Sequence, residues 1–191
     1  VSNGATLQFY QLSAVPNKKV ALAGGATIFN NSGANRFSGA ITLLGNATIN
    51  VGGTSLTLND GIAGTGGLAK IGSGPLIVNG ISSYTGGTTL SAGKLELHGD
   101  IGGALAAASG TTLAGSFNNN GAATISGALL PGDANSPGAI GASGLTMSSS
   151  ATVTFELFPG STDLLLVNGD LTLNNNTVTI IPLATLQTNV P

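Results

Sequence analysis

The sequence predicts an all-β solenoid, a stack of about nine short parallel coils, and three observations lead to this expectation. Apolar residues alternate with Thr, Ser and Asn in short runs. Similar segments recur at a loose period of about 20 to 25 residues, which is typical of solenoids. Gly accounts for 31 of the 191 residues and charged residues for only 6%. Short strands broken by Gly and Asn favour windings that stack on one another.

The alternating runs predict strands in chain order at 6–9, 26–29, 47–51, 55–58, 152–157 and 171–173. In each run Leu, Ile, Val or Phe falls on one side and Thr, Ser or Asn on the other. We therefore expect a narrow apolar core with almost no aromatic residues, and a polar surface on which stacked Asn side chains form ladders. Gly is expected at the corners, where a side chain would be crowded.

Two pairs of similar segments set the expected coil length. Residues 25–30 recur as 46–50 at a shift of 21, and residues 88–93 recur as 111–115 at a shift of 23. We expect one continuous solenoid, with coils over 1–130 and further coils and a cap over 131–191. The tail 183–191 is interpreted either as that cap or as a donor strand. The alternative is an antiparallel β-sandwich with hairpins at the Asn-Gly pairs 79–80, 120–121 and 168–169.

Charge and composition exclude several classes of function. The formal charge of -2 leaves no basic stripe, so we expect no nucleic-acid partner. Apolar runs of four or five residues are too short for membrane insertion of this segment. The absence of Cys excludes disulfides and thiolate chemistry. The sequence predicts no catalytic residue, no cofactor and no metal.

One segment, 64–97, carries a longer pattern of Gly, Leu, Lys and Tyr. Its positions are Gly66, Gly67, Leu68, Lys70, Gly72, Gly74, Leu76, Tyr84, Thr85, Gly86, Gly87, Thr88, Gly93 and Leu95. This pattern resembles the autotransporter-associated β-strand repeat, also called the passenger-associated transport repeat. Two residues depart from it: Pro75 replaces a polar residue, and Ser82 stands where Asn is usual. Pro75 lacks a backbone donor, so we expect it at a strand start.

The resemblance implies a right-handed parallel β-helix in the passenger of a secreted or cell-surface protein, outside the outer membrane of a Gram-negative bacterium. It further implies that the module assists export and folding and is not an enzyme. The turn at 129–138 and the strands at 144–147 and 161–169 also resemble segments that follow such repeats.

Individual polar residues have structural interpretations beside functional ones. Tyr84 is expected to pack at a corner over Gly86 and Gly87, with recognition by an exposed ring as the alternative. Lys70 and Lys94 are expected to be solvated or to pair with Glu96 or Asp100 on a neighbouring coil. The single histidine, His98, is expected on the surface, because no triad or metal site can form around it alone.

Three functions remain open at this stage. The first is a non-enzymatic stalk or adhesion scaffold, with a host or neighbouring cell as partner. The second is a subunit of an extracellular fibre that associates with itself end to end or by strand exchange. The third is a polysaccharide-active enzyme, for which Asp163 and Asp170 are the only acids expected to approach each other across a turn.

Overall fold

The computed structural model describes residues 1–12, 14–133 and 136–183. These residues form 21 strands and no helix. In chain order the strands are β1 (Thr6–Tyr10), β2 (Val20–Leu22), β3 (Thr27–Ser32), β4 (Ala34–Phe37), β5 (Ile41–Leu43), β6 (Ala47–Val51), β7 (Ser55–Leu58), β8 (Ile62–Gly64), β9 (Leu68–Ile71), β10 (Leu76–Tyr84), β11 (Thr88–Leu90), β12 (Lys94–Ile101), β13 (Leu105–Ala107), β14 (Thr112–Ile125), β15 (Ala128–Pro131), β16 (Ala139–Met147), β17 (Thr152–Phe158), β18 (Ser161–Thr162), β19 (Leu164–Val167), β20 (Leu171–Leu173) and β21 (Thr177–Pro182).

The strands stack in three parallel columns, which we call the first, second and third faces. The first face holds β1, β3, β6, β9, β11, β13, the ends of β14 and β16, and β20. The second holds β4, β7, the starts of β10, β12 and β14, then β15, β17 and β21. The third holds β2, β5, β8, later parts of β10, β12 and β14, the start of β16, and β19. From β3 onward the chain visits the faces in this order in every coil, so the predicted β-solenoid is confirmed, with about eight turns.

The register confirms one repeat shift and corrects the other. Thr27 pairs with Thr48, which is the expected shift of 21. Thr88 pairs with Leu105, a shift of 17, whereas Thr112 pairs with Lys94 on the second face. The similarity of 88–93 to 111–115 was therefore a wrong alignment, because the two segments lie on different faces. The number of residues per coil falls to 17 between Thr88 and Leu105 and rises to 26 between Leu145 and Leu171.

The core lies between the three faces and consists of stacked rows, each filled by one inward position per coil. One first-face row contains Ile28, Ile49, Lys70, Leu90, Ala107, Ile125 and Met147, and one second-face row contains Leu56, Leu76, Leu95, Leu113, Leu129 and Val153. All of these side chains are buried. Burial of apolar surface between neighbouring coils at about 25 cal/mol per Å² is thus the main stabilising term.

The core contains more aromatic residues than the composition led us to expect. Phe9 and Phe37 stack near the N-terminal end with ring centroids 5.7 Å apart, and Tyr84 and Phe117 are buried further along. The last two rings pair in register with glycines, Tyr84 with Gly64 and Phe117 with Gly99. A neighbour without a side chain leaves room for a ring in an otherwise narrow core.

The alternative sandwich is excluded by the direction of pairing. Asn79-Gly80 and Asn120-Gly121 lie within the parallel strands β10 and β14. Among the described residues the antiparallel strand pair is the short hairpin of β17 and β18, with Gly160 between them in the left-handed region. The described segments include no helix of the length and apolarity needed to cross a bilayer. The interpretation of 183–191 as a cap or donor strand lies, beyond Leu183, outside the described residues.

Candidate functional site

The motif residues of the transport-type pattern occupy a little more than one turn near the middle of the stack. Strands β9 to β12 run through this region over the first, second and third faces and back to the first and second. The Leu positions of the motif point inward: Leu68, Leu76 and Leu95 are all buried. Pro75 immediately precedes β10 and its carbonyl accepts a hydrogen bond from Leu56 N at 3.0 Å, so its expected place at a strand start is observed.

Four glycines of the motif, Gly66, Gly67, Gly86 and Gly87, form the corner between the third and first faces. A Cβ atom on Gly66 would lie 2.1 Å from Gly45 O, and one on Gly86 would lie 2.3 Å from the carbonyl carbon of Gly66. The same close contact recurs in later coils, where a Cβ on Gly121 would lie 1.8 Å from Gly103 O. The backbones of successive coils therefore touch at this corner. Glycine is required at Gly66, Gly86 and Gly121 because any side chain there would push the coils apart.

Lys70 is fully buried in the first-face core row, between Ile49 and Leu90 in register. Its ammonium group donates to three carbonyl oxygens at the next corner: Ile71 O at 3.0 Å, Gly72 O at 2.7 Å and Ala92 O at 3.0 Å. The expectation that it is solvated was therefore wrong. Burial lowers its pKa to about 8, since removal from water disfavours the charged form.

The role of Lys70 follows from where its acceptors lie. Two belong to its own coil and the third belongs to the next, so one side chain binds two coils at the corner between the first and second faces. The stem of the side chain fills an apolar position while its head satisfies carbonyls that the turn leaves unpaired. The sequence analysis missed this role because it expected a charged side chain to lie in solvent. The alternation of residues along the strand places Lys70 inward.

Tyr84 lies in the core and not on the surface, so an exposed recognition role was wrong. Its hydroxyl forms a 2.7 Å hydrogen bond with Thr88 Oγ1, which is also buried. Burial raises the pKa of the Tyr84 phenol, and the Thr88 hydrogen bond partly opposes that rise. The motif residues Tyr84 and Thr88 thus hold the two sides of the glycine corner together.

Ser82, which departs from the family pattern, keeps a structural role. It is buried, and its hydroxyl accepts a hydrogen bond from Ile62 N at 3.2 Å in the preceding coil. Lys94 pairs with Glu96 at 2.7 Å, as expected, although both residues lie on one strand rather than on neighbouring coils. His98 is half-buried.

Buried asparagines serve the same corner as Lys70 in the N-terminal coils. Asn30 Nδ2 donates to Ser55 O at 2.8 Å in the next coil, and Asn35 Nδ2 donates to Asn30 Oδ1. Leu12 N donates to Asn35 Oδ1 at 2.6 Å from the preceding coil. These asparagines are not the surface ladder that we expected: they are buried, lie in one coil and pair in register with Val51 and Leu56. They tie three coils together because a buried amide can satisfy both donors and acceptors.

The acids do not assemble as expected. Asp163 is buried and accepts hydrogen bonds from Gly138 N at 3.0 Å and Glu156 N at 2.8 Å. The pKa of Glu156 is raised by burial, then by the nearby charges of Asp163 and Asp133. This grouping of Asp163 with Glu156 and Asp133 was not foreseen in the sequence. No cluster of three or more acidic, histidine or cysteine side chains able to hold a metal occurs in the part of the chain that the structure describes.

The comparisons agree with this geometry. Residues 68–97 match the family model of the passenger-associated-transport-repeat. A stretch of 73 residues is 40% identical to the adhesin BmaC autotransporter of Brucella suis biovar 1 (strain 1330). That stretch covers 37% of this chain and 2% of that protein, so the chain matches a small part of a much longer relative. No solved structure shows significant similarity to the chain.

Fold and motif agree on the kind of module that these coils form. The chain is a β-solenoid whose middle coils form a passenger-associated transport repeat, the repeat of autotransporter passengers.

Proposed function

We propose that this chain is a non-enzymatic module of a cell-surface or secreted autotransporter passenger, which acts as a structural stalk and adhesion scaffold and whose folding assists export. The observation that carries the proposal is the unbroken parallel stacking of coils through the transport repeat. Such a rod separates whatever it carries from the cell surface.

Buried polar side chains inside the repeat and beyond it support a structural role, because their partners are other groups of the protein. Lys70 bonds three carbonyls, Tyr84 bonds Thr88, and Asp163 bonds two amides. A polysaccharide-active enzyme needs a pair of carboxylates facing the substrate. Asp163 is turned to backbone amides instead.

The folding mechanism follows from the register. Each new coil buries its apolar row on the preceding coil and pairs with its free strand edges, so folding proceeds by nearest-neighbour addition. Folding of this kind outside the cell opposes backward movement of the chain and thereby draws more of it outward.

In-register deletion tests the stalk and export roles. Removing residues 47–67 joins Asn46 to Leu68, which is the residue stacked directly above Ala47. We expect this protein to fold one turn shorter and to reach the surface at the level of the intact chain, measured by accessibility to external protease. The matched control removes residues 47–57, about half a turn, and should abolish folding and surface display. Equal display of both deletions would overturn the export role.

Adhesion is tested separately with beads that carry the 191-residue chain. We expect these beads to bind host or neighbouring bacterial cells, and beads carrying the half-turn deletion to bind at background level. Binding at background level by both would overturn the adhesive role and leave the export role standing.

A second candidate function, self-assembly into a fibre, is favoured by the C-terminal end of the described stack. The inward residues of β20 and β21 are half or more exposed: Leu171 51%, Leu173 54%, Val178 53% and Ile180 61%. Neither β20 nor β21 contains a charged residue, so these strands lack the charges that normally prevent strand addition. Light scattering that rises with concentration, and filaments in negative-stain images, would support stacking of a second copy. A monomer at all concentrations would exclude it.

A further inference from the structure

A polar groove of about 260 Å³ runs over the outside of the third face near its corner with the first. Its lining comes from four successive coils, and its floor is buried. The lining residues are Asp100, Asn118, Asn119, Asn120, Gly141, Ala142, Ser143 and Asn168. The volume lies just below the range of roughly 300–1,000 Å³ usual for small-molecule sites, so it suits a compact ligand.

The walls of the groove offer hydrogen-bonding groups that the protein leaves available. Asn118 Nδ2 donates to Asp100 Oδ1 at 2.8 Å across neighbouring coils. The side chains of Asn120, Ser143 and Asn168 are exposed and form no hydrogen bond with any described residue. Amides and hydroxyls both donate and accept, and the carboxylate only accepts. The groove therefore presents closely spaced donors and acceptors about one strand spacing, roughly 4.8 Å, apart.

An apolar surface borders this polar array. Gly141 has no side chain and pairs in register with Leu166, whose side chain is 51% exposed on the next coil. Asn118 lies over Gly141, because a Cβ there would be 2.3 Å from Asn118 Oδ1. A ligand in the groove would thus lie among amide groups, and the leucine lies at its border, next to Gly141 and outside the lining residues.

We propose that this groove binds a neutral saccharide unit. A sugar ring carries adjacent hydroxyls that donate and accept, which match the amides and the carboxylate, and a face of C–H groups, which matches Leu166. The inference deepens the adhesive function proposed above and rests on it only for its biological use. Recognition of a single ring by exposed groups is weak, so repeated display on a surface would supply avidity.

Other ligands fit the groove less well. Calcium takes about six to eight oxygen ligands, usually with several carboxylates, and Asp100 is the only acid among the lining residues. Addition of a peptide as an extra strand requires a free sheet edge, whereas the strands beneath this groove are paired within the stack. An acidic sugar would be repelled by Asp100.

A second groove of nearly equal size, about 250 Å³, gives a matched control on the first face. Its lining includes Thr48, Ala69 and Thr89, which are aligned in one row of adjacent coils. Its single amide, Asn46, has its oxygen engaged, because Asn46 Oδ1 accepts a hydrogen bond from Gly67 N at 2.8 Å. The two grooves are therefore similar in volume and differ in the number of side-chain amides that line them.

The test is titration of the ¹⁵N-labelled chain with glucose, galactose, mannose and N-acetylglucosamine, each followed by NMR. We expect at least one sugar to cause saturable shifts of the side-chain amides of Asn118, Asn120 and Asn168. The double variant Asn118→Ala, Asn168→Ala should bind that sugar at least tenfold more weakly. The variant Thr48→Ala, Thr89→Ala in the control groove should bind it unchanged.

All four substitutions are at exposed or half-buried outward positions, so both variants should fold. Thermal unfolding of each variant checks this. Absence of saturable shifts with all four sugars, or equal shifts around both grooves, would overturn the proposal. Saturable sugar binding by beads that do not bind cells would leave this site standing and would count against the adhesive function alone.

Discussion

The transport repeat and the C-terminal coil share the alternation of apolar and polar residues. Their inward apolar side chains are buried in the repeat and largely exposed in the C-terminal coil. Leu76 and Val178 occupy the same inward row of the second face, connected through Leu95, Leu113, Leu129 and Val153. Leu76 is fully buried, whereas Val178 is 53% exposed. The difference is the number of neighbours: β10 has a strand on each side on this face, and β21 is paired with β17 alone among the described strands.

This comparison shows that alternation decides the direction of a side chain and that the adjoining coil decides its burial. In a solenoid each coil contacts only its neighbours, so stabilisation is a property of the interface between two coils. Identical substitutions in the two regions should therefore have unequal costs.

The largest expected difference comes from shortening inward leucines. Leu76→Ala should lower the free energy of unfolding by about 2–5 kcal/mol, because it removes a fully buried side chain and leaves a cavity. Leu171→Ala, in the C-terminal coil, should cost about 0.5 kcal/mol or less. Urea unfolding of both variants checks this. Equal costs would mean that the C-terminal row is covered in solution.

The glycine corner gives a second contrast, between the interior and the N-terminal end of the stack. Gly66→Ala should destabilise by about 1–3 kcal/mol, since its Cβ would meet backbone that cannot move without separating coils. Gly24→Ala lies at the same corner with nothing within 4 Å of the added atom. It should be neutral or slightly stabilising. Melting temperatures compare the two variants, and a larger loss for Gly24→Ala would contradict the stacked corner.

Lys70, in the repeat, should make the stability of the protein depend on pH. Its folded pKa of about 8 is below the value of 10.5 expected when unfolded, so the unfolded state binds more protons between these values. Stability should rise as pH increases from 8, until unfolded Tyr84 loses its proton above about pH 10 and reverses the trend. Urea unfolding at a series of pH values measures this.

Substitution of Lys70 separates its contribution from those of other groups. Lys70→Met leaves three carbonyls without their donor and should cost about 1–2 kcal/mol at pH 7. It should also abolish the rise in stability above pH 8. Lys18→Met, at an exposed lysine, should keep that rise. A rise that persists in Lys70→Met would show that another group causes it.

The smallest effect on the free energy of unfolding is expected for a substitution in the C-terminal coils. Asp163→Asn should cost about 1 kcal/mol, because an amide has one acceptor oxygen for two backbone donors. It should also lower the pKa of Glu156, from which it removes a like charge. NMR titration of the Glu156 carboxyl measures the shift. Asp170→Asn is the matched control and should leave that pKa unchanged.

The sequence by itself determined the local features of this protein. Alternation placed Ile28 and Leu56 inward, the shift of 21 set the register of Thr27 on Thr48, and the absence of a donor placed Pro75 before a strand. These features depend on neighbouring residues in the chain and on backbone chemistry, which a sequence contains directly.

Only the tertiary structure decided what depends on the coil above or below. It buried Lys70 and Asn30, moved 111–115 to the second face, and brought Asp100, Asn118 and Asn168 to one groove from three coils. The physical reason is that small changes in turn length, from 21 residues to 17 and then to 26, change which residues meet. The number of residues in each coil depends on the backbone conformation of its corners and on the apolar surface that it buries against the next coil.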